Sequence, residues 1–284
     1  MKEFKGILCI IVASLFCSTA GTFQALAPEG ATPWTITEMR MSFGAGTLFL
    51  WCLATGRLPK TLAGVPWKLL AICIVSNIAY QFLFFSSLKV IGVAVGSVIS
   101  IGTTPIWAAF LEWVVRKKRP KRIWYAATLL AIAGIVMLNA EKMDAVDPVY
   151  ALMPIAVGLA NAAYMVVSPD IMRVMRAESA ILLIIGTETV LLLPTLFLFD
   201  ATWIATPMGL TCSVGLGVFT AAIAITLFIA GLKTVSPPVA ATLCLIEPMG
   251  AACLGIFFLG ETATLLTWTG IGVVLAAVAL LSKP

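Results

Sequence analysis

The sequence contains no histidine. That excludes HExxH zinc chemistry and every Ser–His or Cys–His catalytic pairing. Charge is scarce as well, at 11% of residues, where soluble domains carry about 25%. Aspartate is thin, and Asp144, Asp147, Asp170 and Asp200 all fall at the ends of apolar stretches. A midplane aspartyl dyad is therefore not expected. There is no GxSxG, no GxxxxGK[ST] phosphate loop and no CxxC, so serine hydrolysis, ATP-driven work and zinc or dithiol chemistry lose their motifs. Nothing resembles an ion-selectivity filter. An enzyme is not expected, and neither a metal nor a cofactor is expected.

What is present is grease. Hydrophobic residues make up 61% of 284, and the mean hydropathy is +1.07. A soluble core cannot hide that much apolar surface, so the chain reads as an all-α integral membrane protein. The two-residue alternation of an outer-membrane barrel is absent. The seven cysteines all lie in apolar stretches and read as small packing residues. The first 27 residues resemble a secretory signal, with Lys2, Lys5, an apolar run and Ala25-Leu26-Ala27. A retained first helix is the favoured reading, because many similar spans follow.

Punctuation by Gly, Pro and charge gives ten spans, at 5–27, 34–56, 65–87, 93–115, 121–140, 148–169, 179–199, 207–231, 237–259 and 262–282. With the N-terminus in the cytoplasm, fifteen of the 18 Lys and Arg fall on the cytoplasmic side, including the run Arg116–Arg119. Lys89 and Lys142 alone fall outside, and Arg40 lies within a span. This bias sets both termini inside. The net charge of +5 is thus a topology signal that meets anionic lipid headgroups. No nucleic-acid partner is implied.

The polar stretch 141–148 divides the chain into 1–143 and 144–284. The halves resemble each other. Leu88-Lys89 precedes Pro105 much as Leu232-Lys233 precedes Pro248, and similar tails follow each proline. Five spans per half is an odd number, so the second half enters the membrane inverted. Two inverted five-helix repeats point to a transporter with a midplane site at the repeat interface. Pro105 and Pro248 are expected to break their helices there, freeing carbonyls that line a cavity.

These features resemble the EamA-type family of drug/metabolite transporters. The resemblance rests on the segment from Pro248 through Gly260-Glu261 to Trp268 and Gly270, on Arg40 after Trp34, and on the five-plus-five layout across the whole chain. One departure is Lys118, where the second half has Glu261. The resemblance implies secondary transport, most often export, of amino acids or related metabolites. The cell compartment expected is the bacterial inner (plasma) membrane, with the protein a monomer or weak homodimer among lipids.

Ionisable groups inside a membrane are functional candidates by default. Glu247 and Glu188 lie near midplane and are the candidate proton-coupling groups. The flanking Thr187 and Thr189 can bond a neutral Glu188. The structural alternatives are a Glu247 bonded to the backbone freed by Pro248 and a buried interhelical contact for Glu188. Arg40 is a candidate for binding a substrate carboxylate or gating; Glu38, two residues away, faces elsewhere. Glu112 and Arg116 read as an i,i+4 structural pair. Asn77, Tyr80 and Gln81 share a face, as do Asn161 and Tyr164 with Ser168 beyond. With Thr104, the repeat mate of Glu247, they form the expected substrate pocket. Interhelical hydrogen bonding is the alternative. The stripe Gly92, Gly96, Ser100 and Thr104 suits close helix packing. The expected activity is alternating-access transport of a small polar metabolite such as an amino acid or amino-acid derivative. Uniport or import of a choline-like cationic amine or a cationic drug is the alternative, because aromatics beside a carboxylate also suit a cation.

Overall fold

The computed structural model describes residues 2–58, 64–142, 148–260 and 262–282. Lys60, Asp144, Asp147, Glu261 and Lys283 lie outside the described residues, as do the 143/144 boundary and the side chains of Lys2, Lys89 and Lys142. The regular structure among the described residues is helical. The helices are α1 (Lys2–Ala25), α2 (Pro33–Ala54), α3 (Trp67–Ile91), α4 (Val93–Arg116), α5 (Arg122–Asn139), α6 (Pro148–Ile171) and α7 (Ala177–Leu192). Then follow α8 (Pro207–Leu232), α9 (Pro237–Leu243), α10 (Ile246–Leu259) and α11 (Leu265–Leu281). Single turns occupy Ala140–Lys142, Thr195–Leu198 and Thr202–Ala205.

Among the described residues, eight helical stretches are long and apolar enough to cross a membrane. They are α1, α3, α4, α5, α6, α7 with the turn after it, α8, and α9 joined to α10. α11 is apolar but shorter, at 17 residues. α2 has 22 residues, about 33 Å at 1.5 Å per residue, and it carries Glu38 and Arg40. Large side chains face outward all around. Phe197 is 85% exposed, Leu265 81% and Phe258 77%. Apolar surface on that scale fits lipid as the solvent.

Helix ends follow local chemistry. Thr32 caps α2 and Thr264 caps α11, each in a reciprocal box with the Thr three residues on. Pro33 opens α2 at a position where its missing N–H costs nothing. The expected span 179–199 matches the apolar stretch Ala177–Leu198, although its helix is interrupted after Leu192, ahead of Pro194. Gly92 is not part of the α4 stripe. It forms the turn between α3 and α4 at φ +83°, where a side chain would be strained.

The packing pairs α5 with α11, α3 and α4 with α6, and α1 with α8 and α10; it also pairs α2 with α7 and α8, and α4 with α9. α5 and α11 touch backbone to backbone. A Cβ on Gly270 would stand 2.9 Å from the Gly134 carbonyl oxygen. Consecutive long helices run antiparallel. One end of the molecule thus holds the start of α1 and the ends of α4 and α6. The other, the far end, holds the end of α1, the end of α5 and the start of α11.

Candidate functional site

A cavity of about 450 Å³ lies between α1, α2, α3, α4, α5 and α10. Thr22, Asn139, Glu141 and Thr262 line it toward the far end. Deeper, its wall carries Thr37 and Arg40 from α2, Tyr80, Gln81 and Phe84 from α3, and Glu247 and Pro248 from α10. The structure thus brings five expected site residues to one space: Arg40, Tyr80, Gln81, Glu247 and Pro248.

Helical spacing explains the α2 and α3 contributions. Thr37 and Arg40 are three apart, and Tyr80 and Phe84 four apart, so each pair shares a face. The two rings stack at 5.7 Å between centroids. Glu38 points elsewhere and is fully buried. Ser42 Oγ donates to its Oε1 at 2.8 Å, and its Oε2 has no partner.

Arg40 is held from behind. Its Nη2 donates to the Thr220 carbonyl oxygen at 3.3 Å, and Cys17 Sγ reaches the same oxygen at 3.9 Å. Thr220 lies in the Leu216–Ile223 stretch of α8, which is π-helical. Such wide turns recur at functional sites; nothing in the sequence announced this one. Arg40 Nε is buried without a partner.

Glu247 owes its place to a helix interruption. The chain turns at Cys244-Leu245 between α9 and α10, and Glu247 N donates to the Cys244 carbonyl at 2.9 Å. Pro248 is the third residue of α10, where a missing N–H is harmless. No hydrogen bond reaches the Glu247 carboxylate among the described residues, and no ion pair within 4.0 Å joins it to Arg40. One cavity therefore presents a cation and a carboxylate that do not neutralise each other by contact.

Pro105 does not break its helix as expected. α4 runs unbroken through Pro105. Threonine hydroxyls take up carbonyls of this turn: Thr103 Oγ1 donates to Ile99 O at 2.7 Å and Thr104 Oγ1 to Ser100 O at 2.9 Å. The carbonyl that Pro105 deprives of its helix donor is Ile101 O, and these two hydroxyls bond Ile99 O and Ser100 O rather than it. Thr104 packs on α6, where a Cβ on Gly158 would stand 3.1 Å from its backbone N. It is not among the cavity's lining residues.

Asn77, Asn161 and Tyr164 also lie away from the cavity lining. One turn along α3 from Gln81, Asn77 Nδ2 donates to both carboxylate oxygens of Glu188, at 3.0 and 2.9 Å. The neighbours expected to serve Glu188 do not: Thr187 is exposed and Thr189 Oγ1 has no partner. Tyr164 is buried in the apolar cluster of Cys73, Ile184 and Ile185 around this pair. Ser168 is buried with its hydroxyl unpartnered.

Ion pairs and hydrogen bonds join the helices at the end that holds the start of α1 and the ends of α4 and α6. Arg116 Nη1 meets Glu112 Oε2 at 2.5 Å within α4, and its Nη2 reaches Val166 O at 2.7 Å and Asp170 Oδ2 at 2.8 Å on α6. Arg57 Nη1 meets Glu178 Oε1 at 2.7 Å, and Ser179 Oγ donates to Arg57 O at 2.8 Å, joining the end of α2 to the start of α7. The i,i+4 pair was legible in the sequence. Its bond to Asp170 was not, because sequence spacing carries no information on contacts 54 residues apart.

The EamA-like transporter family model matches residues 4–140 and again 149–283. An uncharacterized transporter of Bacillus subtilis (strain 168), YwfM, is 37% identical over 99% of this chain and 95% of its own length. An uncharacterized transporter of Archaeoglobus fulgidus is 24% identical over 96% of this chain and 94% of its own. A solved crystal structure of a protein superposes with a TM-score of 0.85 at 19% identity, covering 97% of this chain and 95% of that one. That last likeness shows the fold.

Proposed function

The chain belongs to the EamA-like transporter family, and from that premise we propose that it is a secondary transporter of a small zwitterionic metabolite, an amino acid or its derivative, working as an exporter. The observation that carries this reading is that Arg40 and Glu247 line one cavity with no ion pair between them. Arg40 takes the substrate carboxylate as a charge-assisted hydrogen bond. Glu247 takes the ammonium, and when the substrate leaves it takes a proton instead. Glu188 is a second protonatable group, at the end of α3–α7 contacts beneath the cavity.

The architecture behind this reading is ten spans in two inverted halves, 1–143 and 144–284. The two ranges of family match support the division. So does the packing. Exchanging α1 with α6, α2 with α7, α3 with α8 and α4 with α9–α10 turns the α3–α6 contact into α8–α1, α4–α6 into α10–α1 and α2–α8 into α7–α3, all of which occur. Repeats so arranged rock against each other about a central site. With the termini in the cytoplasm of a bacterial inner membrane, the cavity mouth faces outward and the Arg116 and Arg57 ties close the inner side. The protein works as a monomer or weak homodimer.

A second reading has its own support in the stacked Tyr80–Phe84 pair beside Glu247. Aromatic faces with a carboxylate suit a quaternary ammonium, so a choline-like amine or cationic drug, moved by uniport or import, is the alternative. A thermal-shift screen of the detergent-purified protein separates the two. A ligand that binds only the folded state raises stability by about 2.7 kcal/mol at one hundred times its Kd. Amino acids raising the unfolding temperature while choline does not supports the first reading; the reverse supports the second.

A further inference from the structure

Carboxylate and ammonium account for Arg40 and Glu247, but the cavity wall holds more polar groups than a zwitterion's two ends require. Gln81 is 5% exposed, and neither its Nε2 nor its Oε1 has a partner. Thr37 is 4% exposed, and its Oγ1 is also unpartnered. Both line the cavity, one from α3 and one from α2. Buried amides and hydroxyls are hydrogen-bonded in the great majority of cases. Here two of them, one on α3 and one on α2, belong to the wall of the same cavity and have no hydrogen-bond partner.

The geometry points to a side-chain subsite: Gln81, with Thr37, binds a hydrogen-bonding group on the substrate's side chain. This rests on the zwitterion reading above. An amide offers one donor group and one acceptor, and a hydroxyl offers both, so the complement is a side-chain amide or hydroxyl. An aliphatic side chain of equal size fills the space but leaves Gln81 unpaired, and such a mismatch is penalised far more than a missing methylene. Tyr80 and Phe84 border the subsite and hold the rest of the side chain by contact. The substrate class narrows to polar, uncharged amino acids.

The test uses matched probes, L-asparagine against L-leucine and L-threonine against L-valine, on wild type, Gln81→Met and Thr37→Val. Binding is read by calorimetry on the detergent-purified full chain, after ligand-free unfolding curves establish that each variant is folded. In wild type the polar member of each pair binds at least about tenfold tighter. In Gln81→Met that ratio falls about tenfold or more through loss of the polar probes, while the aliphatic probes bind as well or better. Thr37→Val shifts the ratio the same way and serves if Gln81→Met does not fold. Equal affinities within each wild-type pair, an aliphatic preference, or a ratio unchanged in the variants overturns the subsite. If no probe binds wild type while choline does, the zwitterion reading itself fails and takes the subsite with it.

Discussion

The amide nitrogen of Asn77 spans the carboxylate of Glu188, 3.0 Å from one oxygen and 2.9 Å from the other. Glu188 is fully buried, and among the described residues this amide is the hydrogen-bond donor to its carboxylate. Removing one partner of a buried polar pair costs about 1–3 kcal/mol, and more for a charged group. Asn77→Leu is expected to lower the unfolding temperature of the purified protein by several degrees. Adding Glu188→Leu recovers part of the loss, because the orphaned carboxylate is gone. A double variant no more stable than Asn77→Leu alone contradicts this account of the pair.

Arg116 is the joint of the closed end, bonded to Glu112, Val166 and Asp170. Taking away one member of a buried ion pair costs about 3–5 kcal/mol. If the ties exist in only one state of the transport cycle, that cost falls on the state with the open far end. In Arg116→Ala, the population shifts toward the opposite state. Cys17 reports it, since it lines the cavity. With Cys17 as the sole cysteine, labelling by an impermeant maleimide from the mouth side slows at least tenfold. Unchanged labelling makes the network a plain structural brace.

The α5–α11 seam is a steric prediction. A Cβ on Gly134 would come within 2.6 Å of Val274 Cγ2 and 3.0 Å of its backbone N. Gly134→Leu therefore wedges the helices apart, at about 1–3 kcal/mol for overpacking, read as a lower unfolding temperature. Gly186→Ala, at a position with open space, leaves the unfolding temperature within a degree or two.

Much of this was legible in the sequence, for a stated reason. Apolar length and Gly/Pro punctuation placed the helices well: the expected 121–140 is α5, Arg122–Asn139. The rule that ionisable groups in a membrane need a purpose picked out Arg40 and Glu247. Helical periodicity put Asn77 on one face with Tyr80 and Gln81, and it does share that face. But a face says nothing about depth, and one turn of α3 separates a cavity wall from a buried pair with Glu188. Thr37 was missed because a threonine in a helix gives no signal of its own. Three residues before Arg40, it could have been found by asking what else shares that face. Pro105 was over-read: α4 runs on through it, and Thr104, expected in the pocket, bonds Ser100 O of its own helix instead.

The central claim is that Glu247 in this cavity couples substrate to protons. The direct test is amino-acid counterflow in proteoliposomes, with and without a pH gradient, for wild type and Glu247→Gln. Wild type is expected to show saturable counterflow that the gradient accelerates. Glu247→Gln is expected to fold normally, by its unfolding curve, and to lose the gradient-driven part. Proton-driven flux at the wild-type rate in Glu247→Gln would contradict the account.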